Sequence, residues 1–421
     1  MLAGAAALGI FGTAALAQDE EVFEFSNEFN WLTGENASIL GFIEPELYFI
    51  GVGGVFGDGL EASDLATTEH DPQRDIAVQG IEAAFHINAN DILTGRVNLG
   101  AFQAAEEWEY HVEEAFLHYK LTDFLAVGGG RFLNAFGFQA QRHLHGWDFV
   151  NQNLVNSRML NEAELVTEGG SAIITLPDQR SRITFGAGDV RTHAHGHEEE
   201  GHHDEEEEEH HDEEEGEHHD EEEGEHHDED DDHGHEEHLE AEGANFNNSV
   251  FTADWRQYLP FDPSAAVTAS IATGENGFNQ NTTVYGFGFE KIWGAHDHGA
   301  GPEFCENAFM IRSEFIGRRV EIEHDGENST GEDFGLSTSA HYGLSEVTTL
   351  SLRHDWVSEM EELELEERHR ISPAITHAFG PNNMIKARVQ YDYTDADSLA
   401  SEHAAWLQFQ ISWGGGHNHN H

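Results

Sequence analysis

The feature that most narrows what this chain can fold into is a two-residue hydrophobic period, repeated along its length with no long apolar run beside it. Between Ile385 and Tyr393, the residues Ile385, Ala387, Val389, Tyr391 and Tyr393 share one side, and Lys386, Arg388, Gln390 and Asp392 the other. Leu407, Phe409, Ile411 and Trp413 alternate with Gln408, Gln410 and Ser412, and Leu93, Val97, Leu99 and Ala101 lie opposite Thr94, Arg96 and Asn98. Successive side chains of a strand point to opposite sides, so each segment reads as a strand with one apolar and one wet face. Beyond residue 18 no apolar stretch reaches the roughly 18 residues of a membrane helix.

Two architectures use such strands: a sandwich with an apolar core, and a membrane barrel with apolar residues toward lipid and polar ones toward a wet interior. The alternation places strands near 37–50, 76–88, 91–103, 109–121, 123–131, 165–176, 180–191, 245–258, 264–274, 283–293, 306–322, 332–343, 347–357, 367–379, 383–394 and 403–413. The odd-numbered connections (51–75, 104–108, 132–164, 192–244, 275–282, 323–331, 358–366, 395–402) are long and the even ones are tight turns, with 294–305 the exception. Long loops on one rim and tight turns on the other are the habit of bacterial outer-membrane barrels, and a sandwich has no reason to show it. Trp31, Tyr48, Trp108, Tyr110, Tyr119, Trp255, Tyr258, Trp293, Trp356, Tyr391, Trp406 and Trp413 fall near strand ends, where a membrane barrel sets its aromatic girdles. The expected fold is all-β, an antiparallel transmembrane barrel of about 16 strands.

Charge narrows the partners. The 421 residues include 82 acidic and 19 basic ones, a formal charge of −63, which excludes binding nucleic acid through clustered Lys and Arg. The single Cys305 excludes an intrachain disulfide and every CxxC motif. The start, ending in Ala15-Leu16-Ala17, has the small-x-small pattern of an export signal. The expected organisation is a signal peptide over 1–17, an N-terminal periplasmic segment over 18–36, the barrel over 37–413 with a His/acidic extracellular loop over 192–244, and a His-containing tail over 414–421. Residues 18–36 are too few for a plug domain, so transport is expected to be passive, without TonB.

Residues 193–238 hold 26 of the acidic residues, 14 of the 31 His and no Lys or Arg. His202-His203, His210-His211, His218-His219 and His226-His227 recur every eight residues, each pair followed by Asp204, Asp212, Asp220 or Asp228; His193, His195 and His197 precede them and His233, His235 and His238 follow. Eight residues turn a helix by 80° beyond two full turns, so successive pairs would share no face, and the repelling carboxylates favour a disordered loop. Neutral imidazole suits Zn²⁺, Ni²⁺ and Cu²⁺ without choosing among them. Two repeats together offer four His, with the Asp residues as substitutes. Ordering a loose loop around each ion costs entropy, so the loop is expected to bind metal loosely and exchange it fast. Imidazole binding is expected to fail below about pH 6.5. A plain solvated loop remains the alternative. His296 and His298, and His417, His419 and His421, form two smaller His groups.

The third long connection carries His143, His145, Trp147 and Asp148. In sixteen-stranded porins such a loop can fold inward, which would set His143, His145 and Asp148 in the path of a solute; a loop held by Trp147 packing and His hydrogen bonds is the alternative. No enzyme constellation is present: there is no GxSxG, HExxH or Walker loop, and His235-Glu236-Glu237-His238 has the wrong spacing for a zincin. The chain is not expected to be an enzyme or to carry an organic cofactor.

Gly130-Arg131-Phe132, the H-x-H-x-W-D-F run from His143 to Phe149, the His/acidic insertion at 193–238 and the closing strands at 368–395 and 403–413 together resemble the zinc-regulated outer-membrane receptors or porins of Gram-negative bacteria, themselves distantly similar to phosphate-selective porins. The resemblance spans roughly residues 25–413. It implies an outer-membrane barrel for uptake of Zn²⁺ or a related divalent metal, with lipid and metal ions as partners and a homo-oligomer as a possible assembly. Where that family's barrel closes on a terminal aromatic residue, here eight residues follow Trp413. Two other readings stay open: a general or anion-preferring porin whose loop only buffers metal, with Arg96, Lys386 and Arg388 facing inward, and a metal-binding surface protein without transport.

Overall fold

The computed structural model describes residues 42–57, 60–90, 92–104, 108–177, 180–191, 241–294, 305–324, 326–380, 383–396 and 401–414. Sixteen strands run in chain order around one closed ring: β1 (Ile43–Phe56), β2 (Ile76–Ala89), β3 (Leu93–Gln103), β4 (Trp108–Thr122), β5 (Leu125–Leu133), β6 (Val166–Thr175), β7 (Ser181–Val190), β8 (Phe246–Leu259), β9 (Asp262–Asn276), β10 (Asn281–Trp293), β11 (Phe309–His324), β12 (Glu327–Ser345), β13 (Thr348–Val357), β14 (Arg368–Phe379), β15 (Ile385–Ala396) and β16 (Glu402–Gly414). Every neighbour is antiparallel, and β16 returns to β1 in register from Glu46–Gly414 to Phe56–Ala404, so no edge is left to pair with another chain.

The two faces are inverted relative to a water-soluble protein. On β13, Leu350 and Leu352 are 40% and 50% exposed, while Ser351 and Arg353 between them are 8% and 4% exposed. Arg96 and Asn98 on β3, and Arg388, Gln390 and Asp392 on β15, are likewise buried inside. An apolar exterior over a polar, hydrogen-bonded interior is stable only where the outside solvent is lipid.

The strand bounds depart most from the sequence expectation at three places. The first strand begins at Ile43 and runs to Phe56, taking in Gly51–Phe56, whose glycines read as loop. Gly54 is needed for close packing: a Cβ there would stand 2.5 Å from the Phe56 ring and 2.8 Å from Trp406. Residues 37–41 lie outside the described residues. The connection after β11 is only residues 325–326 and that after β9 only 277–280, because polar residues such as Glu327–Thr330 extend the ladder opposite Glu321–His324. Of the expected girdle, Trp108, Tyr110, Trp255 and Trp293 face out, but Tyr48 and Trp406 turn inward, Tyr48 onto His145 and Trp406 onto Phe56.

The connection between β5 and β6, residues 134–165, folds into the barrel. It includes a 3-10 turn (Leu144–Gly146) and a short helix, α1 (Leu154–Met159), which Asn153 caps by accepting from the Asn156 amide. Phe136, Leu154, Val155, Met159 and Leu160 of this loop pack with Ala272, Val284, Ile316 and Val357 of the wall, so part of the interior is an apolar core. The wall makes room with missing side chains. A Cβ on Gly335 would stand 2.7 Å from Val155, one on Gly286 2.9 Å from Phe136 and one on Gly80 2.6 Å from Leu144.

Filling one such socket displaces the loop. Gly335→Leu is expected to cost about 1–3 kcal/mol through overpacking and to raise single-channel noise, read by urea unfolding in micelles and by planar-bilayer recording.

Candidate functional site

A loop inside a barrel must satisfy its irregular backbone without bulk water, or each buried amide and carbonyl carries a desolvation penalty. Here the wall supplies the partners. Arg256 donates to the Gly137 carbonyl at 2.7 Å, Arg318 to Arg158 at 2.8 Å, Arg353 to Asn151 at 2.8 Å and Arg388 to Trp147 at 2.9 Å, while Arg370 donates to the Gln152 carbonyl. In the other direction, Glu314 accepts from the Phe138 amide at 2.6 Å, Gln390 from Val150 at 2.7 Å and Asp71, on the first long loop, from Gln152 at 2.8 Å. Asp148 is gripped by Arg142 of its own loop and by Arg312 at 3.1 Å; burial opposes its charge, but Arg142, His341 and Arg312 outweigh it and hold the carboxyl well below the usual range.

The wall of β1 to β4 has a different chemistry. A β-bulge in β4 opposite Asn98 and Leu99 lets the consecutive Glu113 and Glu114 both face the interior, and the missing side chain of Gly100 leaves room for Glu113. His143 enters between them, with Nδ1 2.9 Å from Glu113 and Nε2 2.8 Å from Glu114. Burial and the Arg96 charge both disfavour its protonation, yet Glu114 and the hydrogen bonds to both carboxylates prevail and raise its pKa to about 10. His145 stacks parallel to His143 with centroids 5.8 Å apart, lies 4.0 Å from the Tyr48 ring and bonds to Glu82. Burial, then repulsion by His143 and Arg96, holds it well below the ordinary imidazole value, so one of the two rings carries the charge. Burial pushes the Glu164 carboxyl up to about 8; His143 opposes this, and Glu113, Glu82 and Glu114 reinforce it.

Carboxylates and imidazoles continue toward both rims. Toward the turns, His86 Nε2 is 3.2 Å from Glu46, which accepts from the Tyr48 hydroxyl at 2.7 Å. Toward the long loops, His70 Nε2 lies 3.4 Å from Glu69 and 3.8 Å from Glu164, and His111 Nε2 3.4 Å from Glu109. Ligand atoms of Glu69, Glu109 and His111 all lie within 4.8 Å of one another, which makes these three a possible metal holder.

The sequence candidates divide accordingly. His143, His145 and Asp148 are brought into the barrel, His143 and His145 against the acidic wall and Asp148 against Arg142 and Arg312. Trp147 is buried and its indole donates to the Arg142 carbonyl at 2.9 Å, so packing and hydrogen bonds fix the loop as well. The loop ligands His193, His195, His197, His202, His203, Asp204, His210, His211, Asp212, His218, His219, Asp220, His226, His227, Asp228, His233, His235 and His238 lie outside the described residues, as do His296, His298 and the tail histidines. Sequence reasoning missed Glu69, Glu109 and His111. The period-two run Glu109-x-His111-x-Glu113 on one strand face was the available signal.

No family model matches the chain, and no curated protein matches it. Among solved structures it is similar to Salmonella typhi OmpF in complex with daunomycin (10% identity, TM-score 0.53, 88% of this chain and 97% of that one). It is similar to the trimer form of OmpT, an outer-membrane protein of Vibrio cholerae (10%, 0.52, 88% and 99%), and to the outer-membrane channel DcaP of Acinetobacter baumannii (9%, 0.51, 88% and 96%). These likenesses establish the fold. The inverted faces and the closed sixteen-stranded ring make the chain a porin-like β-barrel of the bacterial outer membrane.

The sign of the His143 titration gives a test. Its folded pKa is raised above the unfolded value near 6.5, so its contribution is complete below that pH and is lost as pH rises through about 10. His143→Gln leaves Glu113 and Glu114 without their shared cation and is expected to destabilise by about 3 kcal/mol at neutral pH. The gap from the parent chain should close above pH 10 when urea midpoints are compared.

Proposed function

We propose that the protein is a porin-like channel that admits Zn²⁺ or a related divalent metal ion, and that the His-rich segment 193–238 is an extracellular loop that captures the ion at the mouth. The observation that supports this best is the carboxylate and imidazole wall of β1 to β4, which extends from Glu69, Glu109 and His111 at the long-loop rim to Glu46 and His86 nearer the turns. The connection that carries the His pairs joins β7 to β8 on that same long-loop rim. Acidic walls concentrate cations in a narrow, low-dielectric passage. The loop's imidazoles would hold metal loosely, with no organic cofactor. The trimeric OmpT makes a homo-oligomer in the membrane the natural assembly to look for.

A general or anion-preferring porin is the second reading, favoured by the arginines of β8, β11 and β13 to β15. Two of them are offset by aspartates, and the others are immobilised by carbonyls that leave their charge in place. Arg318 is paired with Asp333 at 2.8 Å and Arg353 with Asp355 at 3.0 Å, and Arg256, Arg370 and Arg388 hold loop carbonyls.

Deletion of 193–238 is expected to reduce zinc accumulation in zinc-poor medium while single-channel conductance stays within about a factor of two, the segment contributing local ion concentration and no lumen wall. Reversal potentials in a salt gradient should show cation preference. Anion preference with unchanged accumulation favours the second reading, and a chain without conductance in planar bilayers is a metal-binding surface protein.

A further inference from the structure

Glu69, Glu109 and His111 come from two elements that meet at the long-loop rim: Glu69 from the turn at 68–70 in the connection between β1 and β2, the other two from the first turns of β4. Their side chains are 6%, 26% and 12% exposed, dry enough to strengthen electrostatics yet open toward the mouth. Phe102 lies flat on His111, centroids 4.8 Å apart at 5°, and this fixes the plane of the imidazole. The His70 ring stands edge-on to the same Phe102 at 5.0 Å and carries Glu69 and Glu164 on one nitrogen. The Glu164 side chain is only 9% exposed, and its Oε1 has no hydrogen-bond partner among the described residues. A buried oxygen without a partner, on a carboxyl that shares the His70 nitrogen with Glu69, is a group that a bound ion would satisfy. Arg131 and Glu113 are the other charged groups within electrostatic reach of His111, and Arg131 also faces Glu168 at 3.9 Å.

Two carboxylates and one imidazole are the donor set of a borderline divalent cation such as Zn²⁺, for which Ca²⁺ and Mg²⁺ compete poorly because they take oxygen ligands. Bonds of about 2.0–2.2 Å in a tetrahedron set ligand atoms about 3.4 Å apart, so donors already within 4.8 Å close on an ion by side-chain movement alone.

We propose that Glu69, Glu109 and His111 form a fixed divalent-metal site at the mouth of the barrel, built from residues outside the His-rich segment. The inference rests on the metal reading above for the class of ion, and it is tested by binding instead of transport. Crystals of the full chain, soaked in ZnCl₂ at a few-fold molar excess, should show an anomalous peak among these three side chains at the zinc edge. In solution the zinc stoichiometry of the full chain should fall by one equivalent in Glu109→Gln and in His111→Asn, with the heat-dependent gel shift of a folded barrel retained. A soaked crystal with no peak there, or variants that keep the full stoichiometry, overturns the site. Should the peak appear while loop deletion leaves accumulation unchanged, the capture role fails and the site stands; normal loop-dependent uptake with no peak is the reverse.

Discussion

Everything inside this barrel depends on arginine donors meeting loop carbonyls. Residues 134–165 bring an irregular backbone into a space where water is scarce, and guanidinium groups from five different strands meet its carbonyls. Hydrogen bonds to charged groups are worth roughly 1.5–3 kcal/mol each where a neutral one is worth about half as much. Arginine suits the task because its planar fork serves two masters: Arg318 binds Asp333 with one edge and the Arg158 carbonyl with another. Lysine would hold one of the two poorly. The apolar packing of Leu154, Val155 and Met159 is then added to a backbone already satisfied.

That commitment decides where the interior's electrical character comes from. The inward arginines are held by loop carbonyls and by aspartates, and only the aspartates offset their charge. The wall of β1 to β4 keeps carboxylates that face imidazoles, and imidazoles can lend or withhold a charge. His143 and His145 differ in exactly this respect although they stand two residues apart, because the bulge in β4 presents two carboxylates to one ring and Glu82 serves the other.

Much of the barrel was legible because it is periodic. Strand alternation in residues such as Ile385–Tyr393 and the long-short rhythm of the connections need only neighbours in sequence, and the ring of sixteen follows from them. Where local chemistry and tertiary packing disagreed, the reading slipped: Gly51, Gly53 and Gly54 look like a loop yet lie in a strand, and at Gly54 Phe56 and Trp406 take the space of a side chain. The inward loop was legible as a motif through His143, His145, Trp147 and Asp148, but its partners were not. Arg353 lies 202 positions from Asn151 and Arg388 241 from Trp147, and nothing in either neighbourhood announces the other. Glu69 and His111 were hidden for the same reason.

The arginine ladder also ties early residues to late ones. Its donors sit on β8, β11, β13, β14 and β15, while the loop they hold leaves the chain after β5. The loop's partners Glu82, Glu113 and Glu114 precede it in the chain while its arginine donors follow it, so its full set of hydrogen bonds needs strands as late as β15. Residues 134–165 thus clasp strands from both ends of the chain, so the loop inside the barrel is also a tie across the ring that surrounds it.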